Sequence, residues 1–149
     1  MKTVSHIISG RELYCIALGA SVFETIQFMA SKNIGAVVIV DNLQNKKLRG
    51  IFSERDLMKR VVLEGLDPKK TKIDEVMTKN VAVANADEAY DVCLETMKKI
   101  RSRHLPIVDG EKLTGMVSMR DLMEFKIAEG TEEIRMMNAY IHDIPNSMT

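Results

Sequence analysis

The sequence predicts an α+β protein built from two copies of one β-α-β-β-α unit, packed about a pseudo-twofold axis, with a further helix at the C-terminal end. Two observations predict it. The first is duplication. GIFSERDL at 50–57 returns as GMVSMRDL at 115–122, an offset of 65. Met29 through Asp41 matches Met97 through Asp109 at an offset of 68, and Val4-x-x-Ile7-Ile8-Ser9 matches Ile73-x-x-Val76-Met77-Thr78 at 69. The second is periodicity. Within each copy, apolar runs of strand length alternate with apolar stripes at helical spacing.

The elements follow in order. A short helix-start segment, clearest in Ile73-Asp74-Glu75-Val76-Met77, leads into a strand at Leu13–Ala17 or Val81–Ala84. Val22, Ile26 and Met29 then mark an amphipathic helix, as do Ala89, Cys93, Met97 and Ile100 in the second copy. Strands at Ala36–Val40 and Leu105–Val108 pass through polar turns, three residues shorter in the second copy, to strands at Leu48–Phe52 and Leu113–Val117. That is hairpin patterning. A last helix starts just after each Ser, with Leu57, Met58, Val61 and Val62 as one stripe and Leu122, Met123 and Phe125 as the other.

The repeats therefore span 2–64 and 73–128, joined by a polar linker at 65–72 in which Gly65 and Pro68 act as breakers. Three strands and two helices make a thin core, so the halves are expected to cover each other's sheets. Thr131-Glu132-Glu133 has the form of a helix N-cap with an acidic first turn, and Ile134, Met137 and Ile141 give a stripe. A separate helix at 131–144 is expected, packed on the pair or in a dimer contact.

Composition narrows the function. The chain has 149 residues, 46% hydrophobic and 28% charged, and balances 21 basic against 21 acidic side chains. It therefore presents no net field to draw duplex nucleic acid or anionic lipid. The longest apolar run of the pattern, Ala36–Val40, is far short of the ~20 residues of a membrane span. The N-terminus lacks the apolar core of a signal peptide. Cys15 and Cys93 stand at apolar positions outside any CxxC pair and read as buried thiols of a reducing compartment. A cytoplasmic protein is expected. The eleven methionines read as adaptable core packing, and the Lys69–Lys72 and Lys98–Arg103 clusters as solvated faces.

The octets carry the chemistry. Ser53-x-x-Asp56 and Ser118-x-x-Asp121 have the form of a capping box, in which the Ser oxygen accepts from the helix start and the residue at N3 reaches back. The same turn suits a nucleotide. Its free N–H groups and Arg55 or Arg120 favour a phosphate, while Asp56 or Asp121 can accept both hydroxyls of a ribose. Gly50 and Gly115 would end a turn or let a ring approach the backbone. Capping and binding are compatible.

The repeat order, the strand endings VVIVD and LPIVD, and Gly-h-h-Ser-x-x-Asp in both copies resemble a tandem pair of cystathionine-β-synthase (CBS) domains, a Bateman module of the stand-alone prokaryotic type. The resemblance covers about residues 2–128 and implies an adenosine-containing ligand: AMP, ADP, ATP, NAD or S-adenosylmethionine. It implies that Asp56 and Asp121, with Ser53 and Ser118, take the ribose. It also implies that backbone of Ala36, Val37 and Val38 and of His104, Leu105 and Pro106 holds adenine. Arg55, Arg120, Arg103 and His104 would meet phosphate. Gly35-Ala36 stands where the second copy has Arg103-His104, so the two sites should differ, and one of them can stay unoccupied. The family further implies a homodimer and, for a chain with no effector domain of its own, a separate protein client.

Other classes fit less well. His6, His104 and His142 are scattered without ligand spacing for zinc, and Gly110–Gly115 lacks the Lys-Ser/Thr of a P-loop. A nucleotide hydrolase needs a positioned base and metal-holding carboxylates, which Ser-x-Arg-Asp does not supply, so no enzyme is expected. A scaffold that dimerises without a ligand would keep the fold and could drop the diol carboxylates, although capping alone also accounts for them.

Overall fold

The computed structural model describes residues 2–142. Each repeat is a short lead helix, a strand, a helix, a hairpin and a final helix. In the first these are α1 (Ser5–Ile8), β1 (Cys15–Ala17), α2 (Val22–Lys32), β2 (Ala36–Val40), β3 (Leu48–Ser53) and α3 (Glu54–Asp56), which runs on as a π-helix over Leu57–Val62. In the second they are α4 (Ile73–Val76), β4 (Ala84–Asn85), α5 (Tyr90–Ile100), β5 (His104–Asp109), β6 (Lys112–Ser118) and α6 (Met119–His142). The expected α+β class holds. No described helix is long and apolar enough to cross a membrane.

Duplication extends to the register. Each sheet has three strands, with the first pairing parallel to the second and the second antiparallel to the third. Ile39 pairs with Gly50 and Ile107 with Gly115, and a register shift follows at the next residue in both copies. The first strands are shorter than expected, because they pair for only three residues and two.

The lead segments are exchanged between repeats. Val4, just before α1, with Ile7 and Ile8 beside it, packs into the second repeat's core of Cys93, Met97, Leu105, Ile107, Val117 and Leu122. Ile73 and Val76 of α4, with Met77 just after it, pack into the first repeat's core with Val22, Met29, Val37, Ile39 and Phe52. Isolated bridges Thr3–Ala89 and Ile51–Thr78 fasten the two segments. Between the sheets, Val38, Val40 and Leu113 form a third cluster against Leu13, Cys15, Leu48 and Met116. The exchange also explains the first residue of each octet. Gly50 lies within β3 and Gly115 within β6, where the crossing lead segments press on the strand, so neither ends a turn.

The linker is structural. Thr71 and Pro68 carbonyls accept from the Val22 and Phe23 amides, which supplies partners for donors that a helix start leaves free. Ser21 and Glu24 complete a capping box on the same helix, and Asn33 ends it in the left-handed conformation.

Three expectations differ. The helix after the second octet does not stop at Gly130. Thr131 lies inside α6, since one glycine costs a helix only ~1 kcal/mol and no proline interrupts before Pro145. Ile134 and Met137 are exposed on it, while residues 143 and 144 and the Ile141 side chain lie outside the described set. Met58 and Val62 are also exposed, because only Val61 and part of Leu57 face the core from the π-helical turn. Of the methionines, Met29, Met77 and Met97 are buried, but Met58, Met123, Met136 and Met137 are not.

Candidate functional site

Both octets form complete capping boxes. Asp56 N–H donates to Ser53 Oγ (3.3 Å) and Ser53 N–H to Asp56 Oδ2 (3.0 Å). Asp121 N–H donates to Ser118 Oγ (3.0 Å) and Ser118 N–H to Asp121 Oδ2 (2.8 Å). A second matched pair of bonds docks each helix start on the neighbouring strand: Glu54 N–H to the Gly35 carbonyl (3.0 Å) and Met119 N–H to that of Arg103 (2.8 Å). The caps are alike, but their surroundings are not.

Asp121 borders a cleft of about 790 Å³, within the range of small-molecule sites. Four parts of the chain build it: the α1–β1 connection from Arg11 to Tyr14, the start of β2 at Gly35 and Ala36, the start of β5 at Arg103 and His104, and Thr114–Asp121 with the first turns of α6. Sequence-predicted residues Ala36, Arg103, His104, Ser118, Arg120 and Asp121 meet there. Val37, Val38, Leu105 and Pro106 do not line it, because their side chains are buried in the sheets beneath. Ser53, Arg55 and Asp56 also lie off this cleft.

Asp56 is sealed. Its Oδ2 accepts from Ser53 N–H and from the Ser53 hydroxyl (3.2 Å), and its Oδ1 from the Thr78 hydroxyl (3.2 Å). Arg60 Nε stands 3.6 Å from Oδ1. The residue is 9% exposed. Arg55 points to solvent, as an exposed residue.

Asp121 keeps one side toward the cleft, and there it meets Arg11. The guanidinium Nη1 donates to Oδ2 at 2.9 Å and Nη2 to Oδ1 at 3.0 Å, a bidentate fork. Burial pushes the Asp121 carboxyl up, but the Arg11 bonds and the Ser118 amide outweigh it and hold the carboxyl below its ordinary range. Burial pushes His104 below its ordinary value. Arg103 adds to that shift, while Asp121 and Glu54 oppose it. Arg120 is bound outward to Glu124 (3.0 Å). Among the described residues Arg103 has no ion pair and is the cleft's cation open to an anion, while Arg11 is engaged by Asp121.

Arg11 carries no signal in the sequence. It stands two residues past the duplicated Ile7-Ile8-Ser9 block, where the second copy has Asn80. Duplication would point to Ser9, the counterpart of Thr78, as the partner of Asp121. The connection after α1 delivers Arg11 instead.

Paired sheets, exchanged lead segments and one cleft at a capped helix start define a tandem-repeat module. The chain belongs to the CBS domain family, whose profile matches residues 4–63 and 73–128. It is 29% identical over 143 residues to the mitochondrial CBS domain-containing protein CBSX3 of Arabidopsis thaliana, covering 95% of this chain and 69% of that one. It spans only 18% and 21% of two further Arabidopsis relatives, CBSCBSPB2 and CBSCBSPB3. A CBS-domain protein from Burkholderia ambifaria superposes with a TM-score of 0.78 at 35% identity, over 85% of this chain and 95% of that chain. The CBS pair of protein MJ0100, solved with 5′-methylthioadenosine and S-adenosyl-L-methionine, does so at 0.76 and 27% identity, over 87% and 98%.

Proposed function

We propose that the protein is a regulatory module, not an enzyme, that binds an adenosine-containing ligand in the cleft at Asp121. The observation that carries this reading is a half-buried carboxylate at a helix start, facing a cleft of about 790 Å³ with two cations beside it. Asp121 takes the ribose hydroxyls, backbone at Ala36 and His104 holds the base, and Arg103 meets an anion. The MJ0100 pair, which holds adenosine compounds, supports the ligand class. The class spans AMP, ADP, ATP, NAD and S-adenosylmethionine. Asp56 is the minor site, since it is buried and lies off the cleft.

Output is a population shift. A ligand held by both repeats favours one relative arrangement only through differential affinity, and a ~10²-fold preference gives about 2.7 kcal/mol of bias. The module works as a homodimer with a separate protein client. The free thiols Cys15 and Cys93 suit a reducing compartment such as the cytoplasm.

Calorimetric titration with AMP, ATP, NAD and S-adenosylmethionine tests the reading. At least one should bind in the micromolar range and weaken by ~10-fold or more in Asp121→Asn, with a smaller change in Asp56→Asn. The rival reading, a scaffold that dimerises without a ligand, draws support from the exposed Met58, Val62, Ile127 and Ile134. No heat from any of the four ligands would favour it.

A further inference from the structure

The group that would receive a ribose is already occupied. Both oxygens of Asp121 are taken by one guanidinium, at 2.9 and 3.0 Å, and the Asp121 side chain is 19% exposed. A diol can reach the carboxylate only after the Arg11 fork leaves. Arg11 sits on a stretch outside helix and strand, just after Gly10 at φ 76°, and among the described residues its side chain has no other hydrogen-bond partner. The Arg11 amide donates to the Ile8 carbonyl (3.1 Å), so the displacement is a movement of the side chain alone.

Displacement has a charge consequence. Freed from Asp121, the guanidinium stays at the cleft with Arg103; of the two other carboxylates that line it, Glu124 is already bonded to Arg120 and Glu12 is exposed. An uncharged nucleoside would satisfy Asp121 but leave the cation, 45% exposed, only water and the outlying carboxylates in exchange. A nucleoside phosphate satisfies both, because the diol replaces the guanidinium on Asp121 and the phosphate replaces Asp121 on the guanidinium. Arginine suits this exchange because its planar fork fits carboxylate and phosphate alike. The other copy has no such fork: Asp56 is held by Thr78 and its own cap, and Arg60, 3.6 Å away, donates to the Met77 carbonyl.

We propose that Arg11 is the specificity-determining residue of this site: it covers Asp121 until a ligand brings both a vicinal diol and an anion, and so selects nucleoside phosphates over uncharged nucleosides. The inference rests on the reading that the cleft takes an adenosine ligand, and it adds the selection rule.

Titration of the full chain with AMP and with adenosine tests it, in wild type, Arg11→Gln and Arg11→Lys, with circular dichroism as the fold control. Wild type should prefer AMP strongly. In Arg11→Gln, adenosine should tighten by ~10-fold and AMP weaken by ~10-fold, so that the preference falls by about 100-fold. Arg11→Lys keeps the charge without the fork; adenosine should gain while AMP stays within ~3-fold of wild type. This variant gives the answer if Arg11→Gln fails to fold. If AMP and adenosine bind and Asp121→Asn weakens both, but their ratio is that of wild type in the Arg11 variants, the selector role is overturned and the site reading stands. If neither ligand binds wild type or variants, both fall.

Discussion

Gly50 lies so close to Met77 that a Cβ on it would stand 2.7 Å from the sulfur and 2.8 Å from the Thr78 carbonyl. At its counterpart Gly115 the nearest atoms belong to the Ile8 side chain, at 3.0 Å and beyond. One glycine faces backbone and the other a movable side chain, although both begin the same octet.

Gly50→Ala should therefore destabilise the protein by about 2–3 kcal/mol and Gly115→Ala by about 1 kcal/mol, as overpacking does when neighbours can or cannot give way. Urea denaturation of the two variants checks the order. Equal losses would show that the Thr78 backbone yields.

Acid should act through Asp121. Its folded carboxyl lies below the ordinary value of 3.8, so in the acid range the unfolded chain binds the proton first. The stability it contributes is complete above that value and is lost as pH falls through the folded one. Asp121→Asn should flatten this part of a stability–pH profile measured from pH 7 downward, and a slope equal to wild type would contradict the ion pair.

His104 should act at milder pH. Burial holds it below its ordinary 6.5 against the pull of Asp121 and Glu54, so the unfolded state again takes the proton first. Its contribution is whole above 6.5 and declines as pH falls from there toward the folded value. His104→Gln should remove that decline, as read from thermal midpoints between pH 8 and 5.

Cutting the chain should expose the exchange of lead segments. A fragment of residues 2–64 lacks Ile73, Val76 and Met77, which complete the first repeat's core. A fragment of residues 11–78 keeps them and omits only α1, which belongs to the other core. Circular dichroism should find the second fragment more helical and later to melt. The reverse order would mean that α1 matters to the first repeat.

Much of this was legible in residues alone, for reasons of range. Strand β2 over Ala36–Val40 and the capping boxes at Ser53 and Ser118 depend on neighbours a few positions away, and pattern records them directly. Repetition multiplied the signal, since each block in one copy vouched for its partner. What escaped depends on distance in the chain. Arg11 reaches Asp121 across 110 residues only because α1 is lodged in the opposite repeat. The close packing at the two glycines is hidden for the same cause, because the segments that press on Gly50 and Gly115 come from the other copy. The early end expected for α6 failed differently: a Thr-Glu-Glu start signal is weak against an unbroken run of helix formers around one glycine.

The continuity of α6 has a mechanical consequence. Twenty-four residues at 1.5 Å each make a rod of about 36 Å, with Asp121 in its first turn and exposed Ile134 and Met137 near its far end. A tilt of about 5° at the Asp121 end would sweep the other end through about 3 Å, roughly half the pitch of one helical turn. Asp121 at the cleft and the exposed Ile134, Met136 and Met137 therefore ride on one continuous helix.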